Sequence, residues 1–327
     1  MHVLGLTTHV STAPPSEPTW TDLIRQSPRA TVFQTRQWQQ AWWHAYGEGE
    51  RLFVAVECGS QLLTMAPCYI KEKMAFFVGS GGSDYLDFLG DTRPHDAMVE
   101  ILKAVRGAIP GFVGCHFYHV PDDALTGAQL QRAADALGWD CYQEGMQVAP
   151  SLHIADAPQI AQAAIQKKSL RRHEQFFRRE GALEVVHYDR GEAMKPHLAE
   201  FFDQHRNRWA TTCSPSLFCE PRHCEFYHRL VEQPDVDWLR FTRVEWNGFP
   251  IAFHFGFFYR GVFMWYKPSF AIELSRHSPG EVLLRKLILY AMDEGAEIFD
   301  FGLGDEAFKQ RFATHSRTVR NWGLYPR

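Results

Sequence analysis

The sequence lacks the features that mark membrane-spanning, secreted and nucleic-acid-binding proteins. No segment approaches the run of about 18 apolar residues that a spanning helix needs, so we expect no membrane insertion. The amino terminus has neither a basic start nor a long apolar run, which argues against a signal peptide. The formal net charge of −4 provides no general attraction for nucleic acid, so DNA is not an expected partner.

Cysteine is also sparse and irregularly placed. The seven cysteines form an odd, scattered set without a CxxC pair. Such a set fits free thiols in a reducing compartment, so we predict a cytoplasmic protein. The nearest approach to a metal-binding pattern has irregular intervals and consists of Cys213, Cys219, His223, Cys224 and His228. Zinc sites use regular ligand spacings, and no metal is therefore expected.

The length of the chain predicts more than one domain. At 327 residues it is too long for one small core. Residues 1–19, which include several Pro, Ser and Thr, are predicted to form a flexible leader. We predict an N-terminal domain over residues 20–150 and a C-terminal domain over residues 151–327.

Both halves show the same order of strands and helices. In the first half, two β-rich runs meet at Gly59-Ser60; in the second, two such runs flank Asn247-Gly248, a strong signal for a two-residue hairpin turn. In each half, a further strand, a helix and one more strand follow. The pattern predicts an α+β (mixed α/β) fold in which one unit, a mostly antiparallel sheet flanked by helices, is used twice.

Residues 278–281, Ser-Pro-Gly-Glu, open a helix in the second half. Ser at the N-cap, Pro at the first helical position and Glu at the third predict a capping box. The alternative is that the exposed amides beside Gly280 receive a phosphate or pyrophosphate at the positive helix end. Pro279 has no N–H and Glu281 is negative. Four nearby cationic side chains could compensate, namely Arg276, His277, Arg285 and Lys286.

The stretch FDFGLGDEAFKQRF, residues 299–312, follows that helix. Gly302 and Gly304 allow the chain to turn at the end of a buried strand. Charged side chains surround the turn, namely Asp300, Asp305, Glu306, Lys309 and Arg311. One interpretation is a strand–turn–helix whose charges pair with each other. The other is a functional site, because clustered charges at a strand end beside a phosphate-competent helix are typical of one.

The span from Ser278 to Phe312 resembles the double-GNAT acyltransferases of the CelD/BcsL-like family, relatives of the Fem-type aminoacyl transferases. The segments FQTRQWQQAWWHAY, GSGGSDYLDFLG, HRNRWA and Tyr266–Pro268 are similar to other landmarks of that family. The resemblance implies two tandem GNAT folds with a cleft between them. It also implies N-acyl transfer from acetyl-CoA or another acyl-CoA to an amine of a small molecule, an amino sugar or an amino acid.

The resemblance also implies roles for individual residues. The cofactor-binding residues would be Arg276, Ser278, Gly280 and Arg311, with the cofactor pyrophosphate beside Ser278 and Gly280. The resemblance places Asp300, Glu306 and Lys309 in the site as catalytic residues, and Asp305 of the same charged turn is a further catalytic candidate. The amine would attack the thioester directly, and one of the three carboxylates would accept its proton. Because the charge of Lys309 is expected to serve the site, Lys309→Ala should depress turnover or donor affinity and leave the melting temperature nearly unchanged. The family often has Tyr before this lysine, where the chain has Phe308, so no phenol can act as an acid there.

The acceptor is not defined by the sequence. The candidate substrate-binding residues are Asp84, Tyr85, Trp209 and Tyr266. Asp84 could hold a substrate ammonium or hydroxyl group, or it could merely close its own turn. The glycine-rich loop around Asp84 lacks the GxGxxG and Lys-Ser patterns of phosphate-binding loops.

A basic helix leaves the acyl donor open. The segment KKSLRRHEQFFRREG, residues 167–181, is rich in Lys and Arg. Such a run is usually a solvated face, although CoA or the acceptor end of a tRNA could bind it. One alternative is therefore an aminoacyl-tRNA-dependent aminoacyl transferase of the Fem type, with tRNA as a partner. A non-catalytic, ligand-binding relative is another.

Overall fold

The computed structural model of the chain describes residues 5–210 and 212–327. It divides into two compact units. Unit 1 ends at Val148 and also includes Arg317–Arg327, and unit 2 spans Ala149–Ser316. The sequence predicts a boundary after residue 150 and assigns the whole remainder to the second domain. The structure differs because the last strand of the chain pairs with a strand of unit 1.

Unit 1 is a sheet with helices packed against it. Its strands are β1 (Leu6–Ser11), β2 (Glu50–Cys58), β3 (Gln61–Lys71), β4 (Met74–Phe77), β5 (Leu89–Gly90) and β6 (Gly114–Pro121), and most of β7 (Trp139–His153) and β13 (His315–Pro326). Its helices are α1 (Glu17–Gln26), α2 (Arg36–Tyr46), α3 (His95–Ala108) and α4 (Thr126–Leu137). The strand order is β1-β2-β3-β4-β6-β13-β7, and β5 pairs with β3.

Unit 2 repeats this organisation. Its strands are β8 (Leu183–Tyr188), β9 (Leu239–Trp246), β10 (Phe249–Tyr259), β11 (Val262–Phe270) and β12 (Ile298–Asp300), together with the end of β7. Its helices are α5 (Pro158–Ile165), α6 (Lys168–Glu180), α7 (Gly191–Met194), α8 (Leu198–Trp209), α9 (Pro221–Glu232), α10 (Pro279–Asp293) and α11 (Ala307–Gln310). The strand order is β7-β12-β11-β10-β9-β8.

The same supersecondary arrangement occurs in both units, as the sequence predicts. In unit 1 the meander β2-β3-β4 leads into α3, which is followed by β6 parallel to β4. In unit 2 the meander β9-β10-β11 leads into α10, which is followed by β12 parallel to β11. A parallel neighbour requires a crossover connection, and one helix supplies it in each unit. The predicted α+β fold with mostly antiparallel sheets is confirmed.

Local sequence explains the two elements of unit 2 that matter most for the site. Asn247 and Gly248 have φ of 53° and 81°, and left-handed residues at both central positions make the tight turn between β9 and β10. Helix α10 buries an apolar stripe that includes Val282, Leu287 and Ala291. This stripe packs on the sheet within the core of unit 2, which fixes the position of the amino-terminal end of α10 relative to β11.

The predicted leader is the clearest difference in the fold. The sequence predicts a flexible segment over residues 1–19, of which the first four lie outside the described residues. Leu6–Ser11 instead forms β1, which pairs with β2 from Leu6↔Cys58 to Ser11↔Phe53, and α1 begins at Glu17. Three of the six β1 residues are Thr or Val, and such residues suit an edge strand even when few of them are buried. None of the described helices is long and apolar enough to cross a membrane.

Candidate active site

A cavity in unit 2 opens where β11 extends beyond β12. The last paired residues of these two parallel strands are Met264 and Asp300, whereas β11 continues to Phe270. Gly302, with φ of 68°, then turns the chain away from the sheet. The resulting cavity of about 220 Å³ is lined by the end of β11, the start of α10, and residues of α8 and α11. The lining residues used below are Arg208, Trp265, Ser269, Ser278, Gly280 and Phe308.

The start of α10 is not capped in the way that the sequence predicts. Ser278 occupies the N-cap position but adopts a left-handed conformation with φ of 55° and ψ of 54°, and its side chain makes no capping hydrogen bond. Glu281 does not complete a capping box, because its carboxylate pairs with Arg311 at 2.6 Å and approaches His173 at 3.4 Å. The predicted capping box is therefore wrong. The amides at the start of α10 therefore receive no side-chain cap from Ser278. Ser278 and Glu281 both line the cavity.

Gly280 allows the first turn of α10 to pack closely against β11. A Cβ atom at this position would lie 3.1 Å from Cδ1 of Phe270. Any side chain would therefore force the Phe270 ring to move. Glycine keeps the backbone accessible at the end of the helix that carries the positive end of the dipole.

Arg208, in the last turn of α8, brings a cation to the same cavity. Its Nη1 donates to the carbonyl oxygen of Pro268 at 2.9 Å, and its guanidinium carbon lies 4.3 Å from the ring centroid of Phe270. Burial lowers the pKa of Arg208 to about 10, so the group stays charged at neutral pH. Among the described residues, no carboxylate forms an ion pair with it. Arg208 therefore brings to the cavity a positive charge that no carboxylate of the described residues pairs with directly. The carboxylate of Glu281, which also lines the cavity, pairs with Arg311 instead.

Two further polar groups near Arg208 lack partners. The hydroxyl oxygen of Ser269 is fully buried and makes no hydrogen bond within the described residues, although Ser269 lines the cavity. The indole nitrogen of Trp209 is likewise buried without a partner there. Buried polar groups are normally hydrogen-bonded, so an orphaned group at a cavity wall is a candidate ligand contact. Neither Arg208 nor Ser269 is among the site residues predicted from the sequence. The HRNRWA segment, which contains Arg208, is the signal that points to one of them.

The charges of the 299–312 stretch pair largely with each other. Lys309 is buried, and its ammonium lies 2.8 Å from a carboxylate oxygen of Glu306 and also donates to the carbonyl oxygen of Leu303. Gly304 has φ of 114°, and a Cβ there would lie 2.3 Å from Oε2 of Glu306. The contacts of Lys309 with Glu306 and Leu303 therefore stabilise the turn after β12. Lys309 therefore has structural partners, and we expect its replacement to lower the melting temperature rather than leave it nearly unchanged.

The other motif carboxylates occupy different environments. Asp300 is buried and accepts a hydrogen bond from the amide of Gly302 at 2.8 Å. Asp305 is exposed, and so is Glu306. Since Asp300 ends β12 beside Met264, it is the carboxylate that lies where β11 and β12 separate.

The predicted cofactor-binding residues are only partly brought together. Ser278, Gly280 and Arg311 line the cavity, but Arg276 does not. The Nε of Arg276 instead donates to Nε2 of His277 at 2.8 Å, and the His277 ring stacks on Phe176 with a centroid distance of 3.8 Å.

The cations on α10 do not face the cavity as expected. Arg285 and Lys286 both pair with the buried carboxylate of Glu174 on α6, Lys286 at 2.7 Å. Arg178 pairs with the same carboxylate at 2.9 Å. The expectation that Arg285 and Lys286 compensate Glu281 at an anion site is wrong. Their charges attach the basic helix α6 to α10.

The predicted substrate-binding residues do not form one group. Tyr85 is 2% exposed, and its ring packs against Phe33 at 5.9 Å and beneath the guanidinium of Arg317 at 3.9 Å, so it belongs to the packing of unit 1. Asp84 is half-buried in the same unit. Tyr266 is buried and packs against Phe257 at 4.9 Å.

Strand alternation explains the position of Tyr266. Its neighbour Trp265 lines the cavity, and successive side chains of a strand point to opposite faces of the sheet. Tyr266 is not among the residues that line the cavity, and it packs against Phe257 instead. Trp209 is half-buried beside Arg208, whose guanidinium carbon lies 5.2 Å from its ring.

Within residues 5–210 and 212–327, no group of three or more His, Cys, Asp or Glu side chains could hold a metal ion. Cys224 instead contacts the carbonyl oxygen of Phe218 at 3.7 Å.

A comparison with known families gives the class of the domain that contains this cavity. Residues 165–310 match the family described as acetyltransferase (GNAT) domain, and this range contains the cavity except for Arg311. The matched segment of the chain is a GNAT-type domain, and the protein is an acyltransferase. No curated protein matches the sequence.

Solved structures extend the likeness to the whole chain at the level of the fold. The crystal structure of FemX superposes with a TM-score of 0.66 at 11% identity, covering 96% of this chain and 97% of FemX. A tandem GNAT protein from the clavulanic acid biosynthesis pathway has a TM-score of 0.54 at 10% identity, covering 98% and 99%. The C-terminal domain of a putative lysylphosphatidylglycerol synthetase from Agrobacterium fabrum has a TM-score of 0.54 at 16% identity, covering 80% of each chain. The chain therefore has a double-GNAT fold related to that of Fem-type proteins.

Proposed function

We propose that this protein is a cytoplasmic N-acyltransferase that takes its acyl group from an acyl-CoA, acetyl-CoA in the simplest case. The observation that carries the proposal is the unneutralised charge of Arg208 in a cavity at the uncapped start of α10. A pyrophosphate is doubly anionic and suits such a place, because helix amides and a guanidinium both donate to phosphate oxygens. All seven cysteines are free, in keeping with a reducing compartment.

The proposed donor site divides into a polar part and an apolar part. Ser278, Gly280 and Arg311 would contact the pyrophosphate, together with Arg208. Trp265 and Phe308 would form the apolar wall along which the rest of the donor extends. The unpartnered hydroxyl of Ser269 would donate to a carbonyl oxygen of the donor.

The proposed reaction needs no covalent enzyme intermediate. The nitrogen of the acceptor amine attacks the thioester carbonyl carbon, the C–S bond breaks, and the sulfur leaves as CoA thiolate, which takes up a proton. Positioning and stabilisation of the oxyanion provide most of the acceleration in such chemistry. Among the carboxylates we favour Asp300 as the acceptor of the amine proton, because it lies where the two parallel strands separate. Phe308 lines the cavity without a hydroxyl group, so it supplies no proton to the thiolate.

An aminoacyl-tRNA donor is the second candidate, and one observation favours it. Arg171 and Arg172 are exposed on α6, whereas the neighbouring Arg178 and Arg179 are paired with Glu174 and Glu180. Free, exposed arginines can contact the phosphates of an RNA acceptor end. The fold is shared with FemX, but this likeness does not distinguish the donors.

Binding measurements on the folded protein separate the two donors. Isothermal titration with acetyl-CoA should give saturable binding, and replacement Arg208→Leu should weaken it while the matched variant Arg171→Leu should not. A tRNA donor predicts the opposite result, namely no acetyl-CoA binding and salt-sensitive binding of charged tRNA that falls in the double variant Arg171→Leu, Arg172→Leu. If neither donor binds, the proposed function is wrong.

A further inference from the structure

A second cavity lies entirely within unit 1. It has a volume of about 220 Å³ and lies between α2, the end of α1 that carries Trp20, and β2. The lining residues used here are Trp20, Arg36, Gln39, Trp43, Arg51 and Phe53. None of these residues has a part in the acyl-transfer site proposed for unit 2.

Gln39 is the feature of this cavity that requires explanation. The residue is 4% exposed, and both its amide nitrogen and its amide oxygen are buried without a hydrogen-bond partner among the described residues. The other buried residues of α2 pack into the core and are apolar, namely Trp38, Ala41 and Trp42. Packing of the helix therefore does not require an amide at position 39, and a leucine would suit it at least as well. A buried amide left without partners is unfavourable, because it loses hydrogen bonds to water and gains none. The cavity wall therefore holds a donor and an acceptor side by side.

The walls around Gln39 are aromatic and held in place. Trp20 and Phe53 meet edge to face at 6.1 Å, and the indole nitrogen of Trp20 donates to the carbonyl oxygen of Gln34 at 3.0 Å. Trp43, also on α2, is half-buried and lines the cavity as well. A cavity of roughly 150 Å³ takes a benzene ring, so this one has room for a single substituted ring. Flat rings stack on indole side chains whatever their substituents.

The charge of the lining is positive. Arg36 and Arg51 line the cavity, whereas none of its lining residues is Asp or Glu. Arg36 approaches Glu17 only at 3.9 Å, and its Nε is buried without a partner among the described residues. The guanidinium carbon of Arg51 lies 5.6 Å from the ring centroid of Trp43. Guanidinium groups beside an aromatic ring are suited to a ring that carries a phosphate.

We propose that this cavity binds a planar, hydrogen-bonding ring that carries an anionic group, the chemistry of a nucleotide. The ring lies against the indole walls, and its edge offers an acceptor and a donor that match the amide of Gln39, as a nucleobase edge does for a glutamine side chain. The anionic group lies towards Arg36 and Arg51. This assignment does not depend on the acyl donor used in unit 2.

The probes for the test are UMP, AMP, the corresponding nucleosides, ribose 5-phosphate and inorganic phosphate, each titrated calorimetrically into the full chain. At least one nucleotide should bind with a Kd below about 1 mM, and its affinity should fall about tenfold or more in Gln39→Leu, because a bidentate pair is lost. The melting temperature of Gln39→Leu should equal or exceed that of the wild type, which a purely structural glutamine would not allow. The exposed Gln162→Leu serves as the matched control and should change neither quantity.

A second variant tests the anionic group independently of Gln39. Arg51→Gln should weaken binding of the nucleotide and leave binding of its nucleoside unchanged. The proposal is overturned if neither UMP nor AMP binds, or if Gln39→Leu binds them as the wild type does. Equal affinity for ribose 5-phosphate and the nucleotides would also overturn it, since the cavity would then recognise only an anion.

Discussion

Replacement of Lys309 by methionine should destabilise unit 2 measurably, whether or not the residue acts in catalysis. Methionine keeps most of the length of the side chain and removes the ammonium group. The side chain of Lys309 is 5% exposed and donates to the carbonyl oxygen of Leu303, and its partner Glu306 is 57% exposed. The variant therefore leaves a carbonyl group of the turn without its charged donor.

The expected magnitude follows from that geometry. A hydrogen bond from a charged group contributes about 1.5–3 kcal/mol to stability, and relief from burying the ammonium offsets part of this value. We expect a net loss of about 2 kcal/mol, which in a domain of this size lowers the melting temperature by about 4–8 °C. Glu306→Gln is the matched control, because an ion pair with an exposed partner contributes at most about 1 kcal/mol.

Calorimetric melting of the wild type, Lys309→Met and Glu306→Gln provides the test. We expect a clear shift in melting temperature for Lys309→Met and a small one for Glu306→Gln. An unchanged melting temperature for Lys309→Met would refute the structural role and restore the interpretation that this charge serves only the site. Turnover of the variant should be compared per folded molecule, because a loss of activity alone would not separate the two roles.

Three further perturbations follow from the structure. Burial would raise the pKa of Glu174, but hydrogen bonds from Lys286 and Arg178 together with neighbouring charges outweigh it and lower the pKa below its ordinary 4.5. This carboxylate therefore stabilises the fold above about pH 4.5 and loses that contribution below it. In urea unfolding from pH 7 to 3, Glu174→Gln should therefore lose less stability on acidification than the wild type. Gly304→Ala should lower the melting temperature, since φ is 114° and the new methyl group would lie 2.3 Å from a carboxylate oxygen, and an unaltered melting curve would contradict this. Ser269→Ala should leave stability equal or improved, because its buried hydroxyl has no partner among the described residues, while acetyl-CoA affinity falls several-fold; a destabilised variant with full affinity would contradict the assignment.

The repeated architecture could be predicted from sequence because local signals carry it. The turn at Asn247-Gly248 fixes the register of β9 and β10 through two left-handed residues. The apolar stripe of α10 has helical spacing that no strand would show. These signals depend on neighbouring residues alone, and tertiary contacts do not override them.

The predictions that failed depend on contacts that sequence spacing does not reveal. Ser278 follows a short helical turn over Ile272–His277 and is left-handed, so its hydroxyl does not reach the helix amides, although residue type favours capping. The direction of Lys286 towards Glu174 likewise depends on how α6 packs against α10. Arg208 becomes a candidate only because β11 extends beyond β12 and creates a cavity beside it.

The direct test of the donor site compares acetyl-CoA binding to the wild type, Gly280→Ala and Gly280→Asp by isothermal titration. Alanine adds a Cβ that meets the Phe270 ring at 3.1 Å, so it controls for bulk, and circular dichroism establishes that each variant is folded. We expect saturable binding near one acetyl-CoA per chain for the wild type and at most a modest loss of affinity for Gly280→Ala. Gly280→Asp should not bind, because a carboxylate would then repel the pyrophosphate. Wild-type affinity in folded Gly280→Asp, or no binding of acetyl-CoA to the wild type, would contradict it.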